Sequence, residues 1–422
     1  MRDEHLRRIA GKSRSPRRRR YQSRGSGTLS LEVTHPLLAG APEEYAIMSP
    51  GHAISRRARA EARNFMVGLF MPSMSGGWTV SRATNLESYR YDFLRKLALM
   101  ADAYNLDYVF MGGGFTPPTS NPFRFRDRIS DAISLAAAFG AITTNSMVIA
   151  TIHILYRHAP LFIAKLAAGI DEITNGGFGI NLVCGLSPDA PSMFDTPDLD
   201  HDERYAAAGE FVTIMQRVWT SREPVNFGGR YYKTRGAFLD TKPVQRPWPL
   251  LVNAGFSEAG KNFAAAQCDW IFIISDRPTD YDSVARRVAD IKARAASLGR
   301  SVKVCMHPYV ICRETEREVQ EVHDHIIRNV DAETLRRQYR AYMGPNAMTQ
   351  SHRQTQRVLE DFIFLGTFQV FGTPAQVADK LLRLRRAGCD GVHLVFFDWE
   401  NDLRFFCERV LPLIRAEMKD RE

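Results

Sequence analysis

Eight short apolar runs, each followed by a stretch of helical periodicity, predict a (β/α)8 TIM barrel for the 422-residue chain. Two further observations favour the barrel over an open doubly wound sheet. The predicted strands are apolar along nearly their whole length, as strands buried on both faces are. The rhythm also breaks twice, at residues 185–248 and 330–371, after the fourth and seventh strands, where the loops of such barrels carry function.

The elements follow in order. Residues 65–71 form an apolar run stopped by Pro72, and the spacing predicts a helix over 89–104, closed by Asn105. Residues 107–111 are the second strand, 128–141 its helix and 147–152 the third strand. The helix over 160–173 opens on Pro160, whose missing N–H is harmless in a first turn, and Asn175-Gly176-Gly177 stops it. Residues 178–184 are the fourth strand, with a long helix over 201–219. Residues 249–254, 270–274 and 302–312 are strands five to seven, followed by helices over 257–266, 281–297 and from 314. A helix over 373–387, a last strand at 391–396 and a closing helix at 403–418 complete a domain spanning 65–418.

The net charge of +9 is concentrated at one end. Residues 1–63 carry fourteen Lys or Arg against six Asp or Glu, and the remainder is close to neutral. The basic run Arg17 to Arg20 sits among Ser, Gly and Pro, so residues 1–60 read as a disordered tail. Because the charge belongs to that tail, it gives no reason to expect nucleic-acid binding. Six cysteines without a CxxC pair, no secretory signal pattern and no run long enough to span a bilayer predict a cytoplasmic, reduced, non-membrane protein.

Common chemical signatures are missing. There is no phosphate-binding GxxxxGK[ST] loop, no dinucleotide GxGxxG and no GxSxG elbow. His153 and His158 lack a third ligand at metal spacing, so no metal is expected. Gly112-Gly113-Gly114 follows the second strand; it is a plain turn, or a place where backbone approaches a flat ligand closely.

Several stretches, in order, resemble the luciferase-like flavin-dependent monooxygenases, nearest to the dimethyl-sulfone and pyrimidine group. They are Met74-Ser75-Gly76-Gly77-Trp78, Ile170-Asp171-Glu172-Ile173-Thr174-Asn175-Gly176-Gly177, Phe178 through Gly185, His201-Asp202-Glu203-Arg204-Tyr205, Asn226 through Tyr232, Phe371-Gly372-Thr373-Pro374 and Arg409 through Leu413. The resemblance implies reduced FMN as cofactor, dioxygen as co-substrate and a separate NAD(P)H-dependent flavin reductase. It implies a flavin peroxide (C4a or N5) that oxidises or cleaves a small sulfone or heteroaromatic ring, and a homodimer or homotetramer.

It also assigns residues. Gly113 and Gly114 would face the flavin ring, and Asn181 would hydrogen-bond it through a neutral amide. Arg204, Tyr205 and Ser257 would hold the phosphate, a guanidinium fork and a helix N-terminus suiting that anion. Ser257 is also an ordinary N-cap, and both roles are compatible. Met74, Trp78 and Phe115 would line an apolar substrate cleft. His307 and Tyr309, two apart on strand seven, would project together as candidate catalytic residues, joined by His153.

Two departures bear on the substrate. His307 and Tyr309 stand where sulfonate-oxidising relatives have Arg and His, which argues against a sulfonate. Ala190 stands where pyrimidine-type relatives have Glu, which weakens uracil ring opening. Arg353 and Arg357 are candidates for a phosphate-closing lid. Three alternatives remain open: a riboflavin-degrading flavoenzyme of the same family, a deazaflavin (coenzyme F420) hydride-transfer enzyme, and a non-catalytic flavin-binding homologue.

Overall fold

The structure, a computed structural model, describes residues 54–115, 121–154, 158–185, 193–196, 199–255, 257–343 and 358–419. Eight parallel strands close into a barrel. They are β1 (Met66–Met71), β2 (Tyr108–Met111), β3 (Met147–His153), β4 (Phe178–Val183), β7 (Leu250–Asn253), β8 (Trp270–Ile273), β9 (Lys303–Met306) and β12 (Gly391–Leu394). Between them in sequence, β5 (Val225–Gly228) pairs with β6 (Lys233–Ala237), and β10 (Pro308–Cys312) with β11 (Phe368–Gly372), as two small separate sheets. Closure comes from β1, which pairs with β2 through Gly68↔Tyr108 and with β12 through Met66↔Gly391. The predicted barrel is therefore present, with each strand's boundary within two residues except the seventh.

That strand is the main correction. The run over 302–312 is two strands, because Pro308 has no N–H to continue the ladder. The barrel pairing of β9 with β12 ends at Met306, and β10 then pairs with β11 from the second insertion. Neither β11 nor the β5–β6 hairpin of the first insertion shows as a period in the sequence. The closing helix is likewise two, α11 (Trp399–Arg409) and α12 (Leu411–Lys419).

The barrel is filled, not hollow. A chain of rings runs from Trp270 at the N-terminal end through Tyr108, Phe272, His393 and His307 to Trp78 at the C-terminal mouth, with neighbouring centroids 4.2–6.4 Å apart. Gly68 makes room for it, since a Cβ there would overlap the Tyr108 ring.

Helices surround the sheet: α2 (Tyr91–Ala103), α3 (Ala132–Ile142), α4 (Pro160–Ile173), α5 (His201–Thr220), α6 (Glu258–Gln267), α7 (Tyr281–Ser297), α8 (Glu316–Arg328), α9 (Ala332–Met343) and α10 (Pro374–Arg386). Their starts obey capping chemistry, with Asp200 and Glu203 forming a capping box on α5 and Thr315 with Glu318 another on α8.

The first helix, α1 (Arg56–Glu61), overlaps the stretch 1–60 expected to be tail. Its Arg56 guanidinium is buried and donates to Thr143 Oγ1 and to the carbonyls of Gly140, Thr143 and Ser146. Glu61 accepts from the Trp270 indole at 2.9 Å. Thus α1 lies across the N-terminal ends of the strands, and the boundary of the folded unit moves ahead of it. Residues 1–53, which hold the Arg17 to Arg20 run, lie outside the described residues.

Candidate active site

The C-terminal ends of β2, β3 and β4 bring the first group together. Asn181 on β4 is 3% exposed, and its register partner on β3 is Thr151. The amide Nδ2 donates to Thr151 Oγ1 at 3.1 Å, while Oδ1 is buried without a hydrogen-bond donor. A buried amide oxygen without a donor is destabilising on its own, so its survival in a packed mouth points to a ligand N–H.

Gly113 lies beside this pair. A Cβ there would come 3.1 Å from the Thr151 carbonyl, and one on Gly114 would come 3.5 Å from His153 Nε2. His153 Nε2 lies 2.9 Å from the Gly113 carbonyl, which can only accept, so that nitrogen carries the proton. Burial lowers the His153 pKa and favours the neutral ring. His153 therefore braces the glycine segment.

The second group sits one strand further on. Tyr205 projects from the first turn of α5 onto Gly255 and Gly260, where an added Cβ would lie 2.6 or 2.7 Å from its phenol oxygen. The phenol is hydrogen-bonded to Ser257, and burial raises its pKa, so it stays a protonated donor. Ser257 caps α6, its Oγ accepting from Gly260 N at 3.1 Å. Asn253, at the end of β7, orders the turn by accepting from Gly255 N and donating to the Leu182 carbonyl. Arg204 has its Nε buried without an acceptor, and among the described residues no carboxylate pairs with it. A guanidinium, a phenol and a helix N-terminus converge here, a set suited to a phosphate monoester.

The third group forms the rim. Trp78 packs 4.4 Å from Phe70 and, edge-on, 4.5 Å from His307. Met74 touches Gly112, where a Cβ would meet its Cε at 2.6 Å. Gly76 and Gly77 adopt positive φ of 79° and 57°, the turn that carries Met74 and Trp78 to the rim. Phe115 is 51% exposed and meets Phe194 edge-on.

His307 and Tyr309 do not share a face. Because the chain breaks at Pro308, His307 faces Phe70, Trp78 and His393. Tyr309 is fully buried against Phe364 and Phe371, with its phenol 2.5 Å from Thr79 Oγ1. Tyr309 thus holds the residue next to Trp78 and does not reach the cleft.

Three further residues contribute to the mouth and its walls without a clear signal in the sequence. His393, two residues after Gly391 on β12, faces the barrel interior; period-two alternation from that glycine could have found it. Glu210 on α5 accepts the backbone N–H groups of Arg230, Tyr231 and Tyr232 at 2.8–2.9 Å and so holds the β5–β6 turn. Arg126 lies over the Trp78 ring, 4.6 Å from its centroid, and no sequence signal marked it. Ala190, Arg353 and Arg357 lie outside the described residues.

Residues 65–391 match the model of the luciferase-like monooxygenase family. The chain belongs to that family. It is 30% identical over 361 residues to an FMNH2-dependent dimethylsulfone monooxygenase of Pseudomonas fluorescens, covering 82% of this chain and 93% of the relative. It is also 30% identical over 386 residues to a pyrimidine monooxygenase of Methylobacterium radiotolerans, covering 87% of this chain and 97% of the relative. A solved riboflavin lyase, with modified FMN and riboflavin bound, shares the fold at TM-score 0.76 and 21% identity, over 84% of this chain and 92% of that one. All three groups of residues sit at the mouth where this luciferase-like barrel has its strand ends. Among the described residues no cluster of His, Cys, Asp or Glu could hold a metal ion, and no helix is long and apolar enough to cross a membrane.

Proposed function

We propose that the chain is a reduced-FMN-dependent monooxygenase that receives its flavin from a separate NAD(P)H-dependent reductase and oxidises or cleaves a small organic substrate. The observation that carries this reading is the pairing of two unmet hydrogen-bonding needs in one mouth. Asn181 Oδ1 wants a donor, as a flavin ring N–H supplies, and Arg204 Nε wants an acceptor, as a phosphate supplies. When bound, reduced FMN supplies two electrons to dioxygen, so that one oxygen atom enters the substrate and the other leaves as water. Gly113 and Gly114 let the backbone close on a flat ring and exclude water from it. Arg204, Tyr205 and Ser257 orient the phosphate. Among the described residues His307 is the imidazole that packs on Trp78 at the rim, and it gives or takes the proton the substrate requires. Tyr309 acts through Thr79 and Trp78 as a positioning residue.

Substituting Arg204 with Ala is expected to weaken reduced-FMN binding by about 10- to 100-fold, the loss of one charge-assisted contact, without loss of fold. Anaerobic titration with reduced FMN checks it, and an unchanged affinity removes the phosphate assignment. The substrate class is read from a reductase-coupled assay with sulfones, pyrimidines and riboflavin, followed by product mass. Turnover without oxygen on a reduced deazaflavin, and none with FMN, overturns the proposal. A homodimer or homotetramer in the cytoplasm belongs to the same reading, with light scattering as its check.

A further inference from the structure

Four arginines lie where the loop before α3 meets the second insertion, and three of them have carboxylate partners. Arg82 pairs with Asp331, Arg124 with Asp127 at 2.9 Å, and Arg337 with Asp127 at 4.0 Å. Among the described residues Arg126 has none. Its guanidinium lies on the Trp78 ring and donates from Nη1 to the Tyr342 phenol of α9 at 3.1 Å, and its Nε is buried without an acceptor. The backbone holds it there in a left-handed conformation, φ 60°, fixed by a bond from Arg126 N to the Ser75 carbonyl at 2.8 Å. A non-glycine residue in that region costs on the order of 1 kcal/mol, and a half-buried cation without a counter-charge costs more. Both expenses fall on a residue one indole away from His307, at the rim that Trp78 shares.

We infer that Arg126 is the oxyanion-recognition residue of the substrate pocket, so that the substrate carries a carboxylate or sulfonate joined to an apolar or aromatic body. A planar fork matches either group, and the apolar rim formed by Met74, Trp78 and Phe115 suits such a body. His307 in place of an Arg argues against a sulfonate for want of a guanidinium; Arg126 supplies one from another loop. The inference rests on the reading of this mouth as the substrate site of a flavin monooxygenase.

The test is calorimetric titration of the full chain with benzoate and hexanesulfonate, and with benzamide and 1-hexanol as their neutral counterparts. The expected result is that at least one anion binds ten or more times tighter than its neutral counterpart and weakens with added salt. Arg126→Gln should abolish that preference. Arg337→Gln, which disturbs the same loop contact but removes an already paired arginine, should keep it. Should Arg126→Gln fail to fold, Arg126→Met keeps the stem on Trp78 and serves in its place. Equal binding of anion and neutral counterpart, absence of binding by both anions, or an unchanged preference without Arg126 overturns the inference. FMN affinity is measured on the same preparations: its absence counts against the flavin reading, while the anion preference still reports on Arg126 alone.

Discussion

Burial alone pulls the His393 imidazole down to about 3, because the barrel interior gives its cation neither water nor an anion. The unfolded chain binds a proton at this residue near pH 6.5, and the folded chain does not. Stability from His393 is therefore complete above about pH 6.5 and is lost as pH falls toward 3, by about 1.4 kcal/mol per pH unit. Asp107 and Asp402, pushed up to about 6 by burial against the pull of Arg63 and Arg313, act in the opposite direction between about pH 4 and 6. The comparison with His393→Phe isolates the one residue: urea unfolding from pH 7 to 4 should show the variant losing less stability than the parent, by the uptake of one proton. Parallel curves would refute this. At the same scale, legibility divides by chemistry. Asn181, Arg204 and Tyr205 stand out as candidates because each lies within an ordered family motif, and Ser257 because it opens a helix straight after a strand; the position of each is a local product of a strand end or a helix start. Arg126 was not, since Arg124-Phe125-Arg126 reads as a solvated loop and only tertiary packing gives it an indole to cover.

At the level of elements, the helices and barrel strands were legible where one period ran unbroken. The predicted range 160–173 matches α4, and 281–297 matches α7, residue for residue. What failed were elements whose pairing is non-local. The short β5 and β6 strands mix polar, apolar and glycine residues and are largely exposed or half-exposed, and β11 pairs with β10. No single-sequence period announces such strands, because their partner decides them. The β5–β6 hairpin depends on Glu210 as much as on its own turn. Removing that carboxylate by Glu210→Ala strands three backbone N–H donors, at about 1–3 kcal/mol of local stability in total. Hydrogen exchange at Arg230, Tyr231 and Tyr232 should speed up while the barrel amides stay protected; unchanged exchange would mean the turn stands without it.

On the scale of the whole molecule, the fold depends on a segment that composition assigned to the tail. Burial lowers the Arg56 pKa to about 10, which leaves it charged at neutral pH and satisfied by four oxygen contacts. Arg56→Met should therefore destabilise the chain by about 1–3 kcal/mol, because it leaves the buried oxygens of Gly140, Thr143 and Ser146 without their donor. The expected signature is a lower Tm in calorimetry with FMN affinity at 25 °C retained; an unaltered Tm would show that α1 is only draped over the strand ends. The basic run upstream could mislead because charge counting sees composition, whereas Arg56 is distinguished only by where its side chain ends.

The chain of rings from Trp270 to Trp78 has a kinetic consequence. A cylinder stoppered along its axis is open, among the described residues, at its C-terminal mouth, so everything that binds there crosses one threshold, the rim where Arg126 lies on Trp78. Traffic through a single threshold is a queue. An organic molecule that settles at the rim too early bars the later arrivals, and excess substrate then slows turnover instead of saturating it.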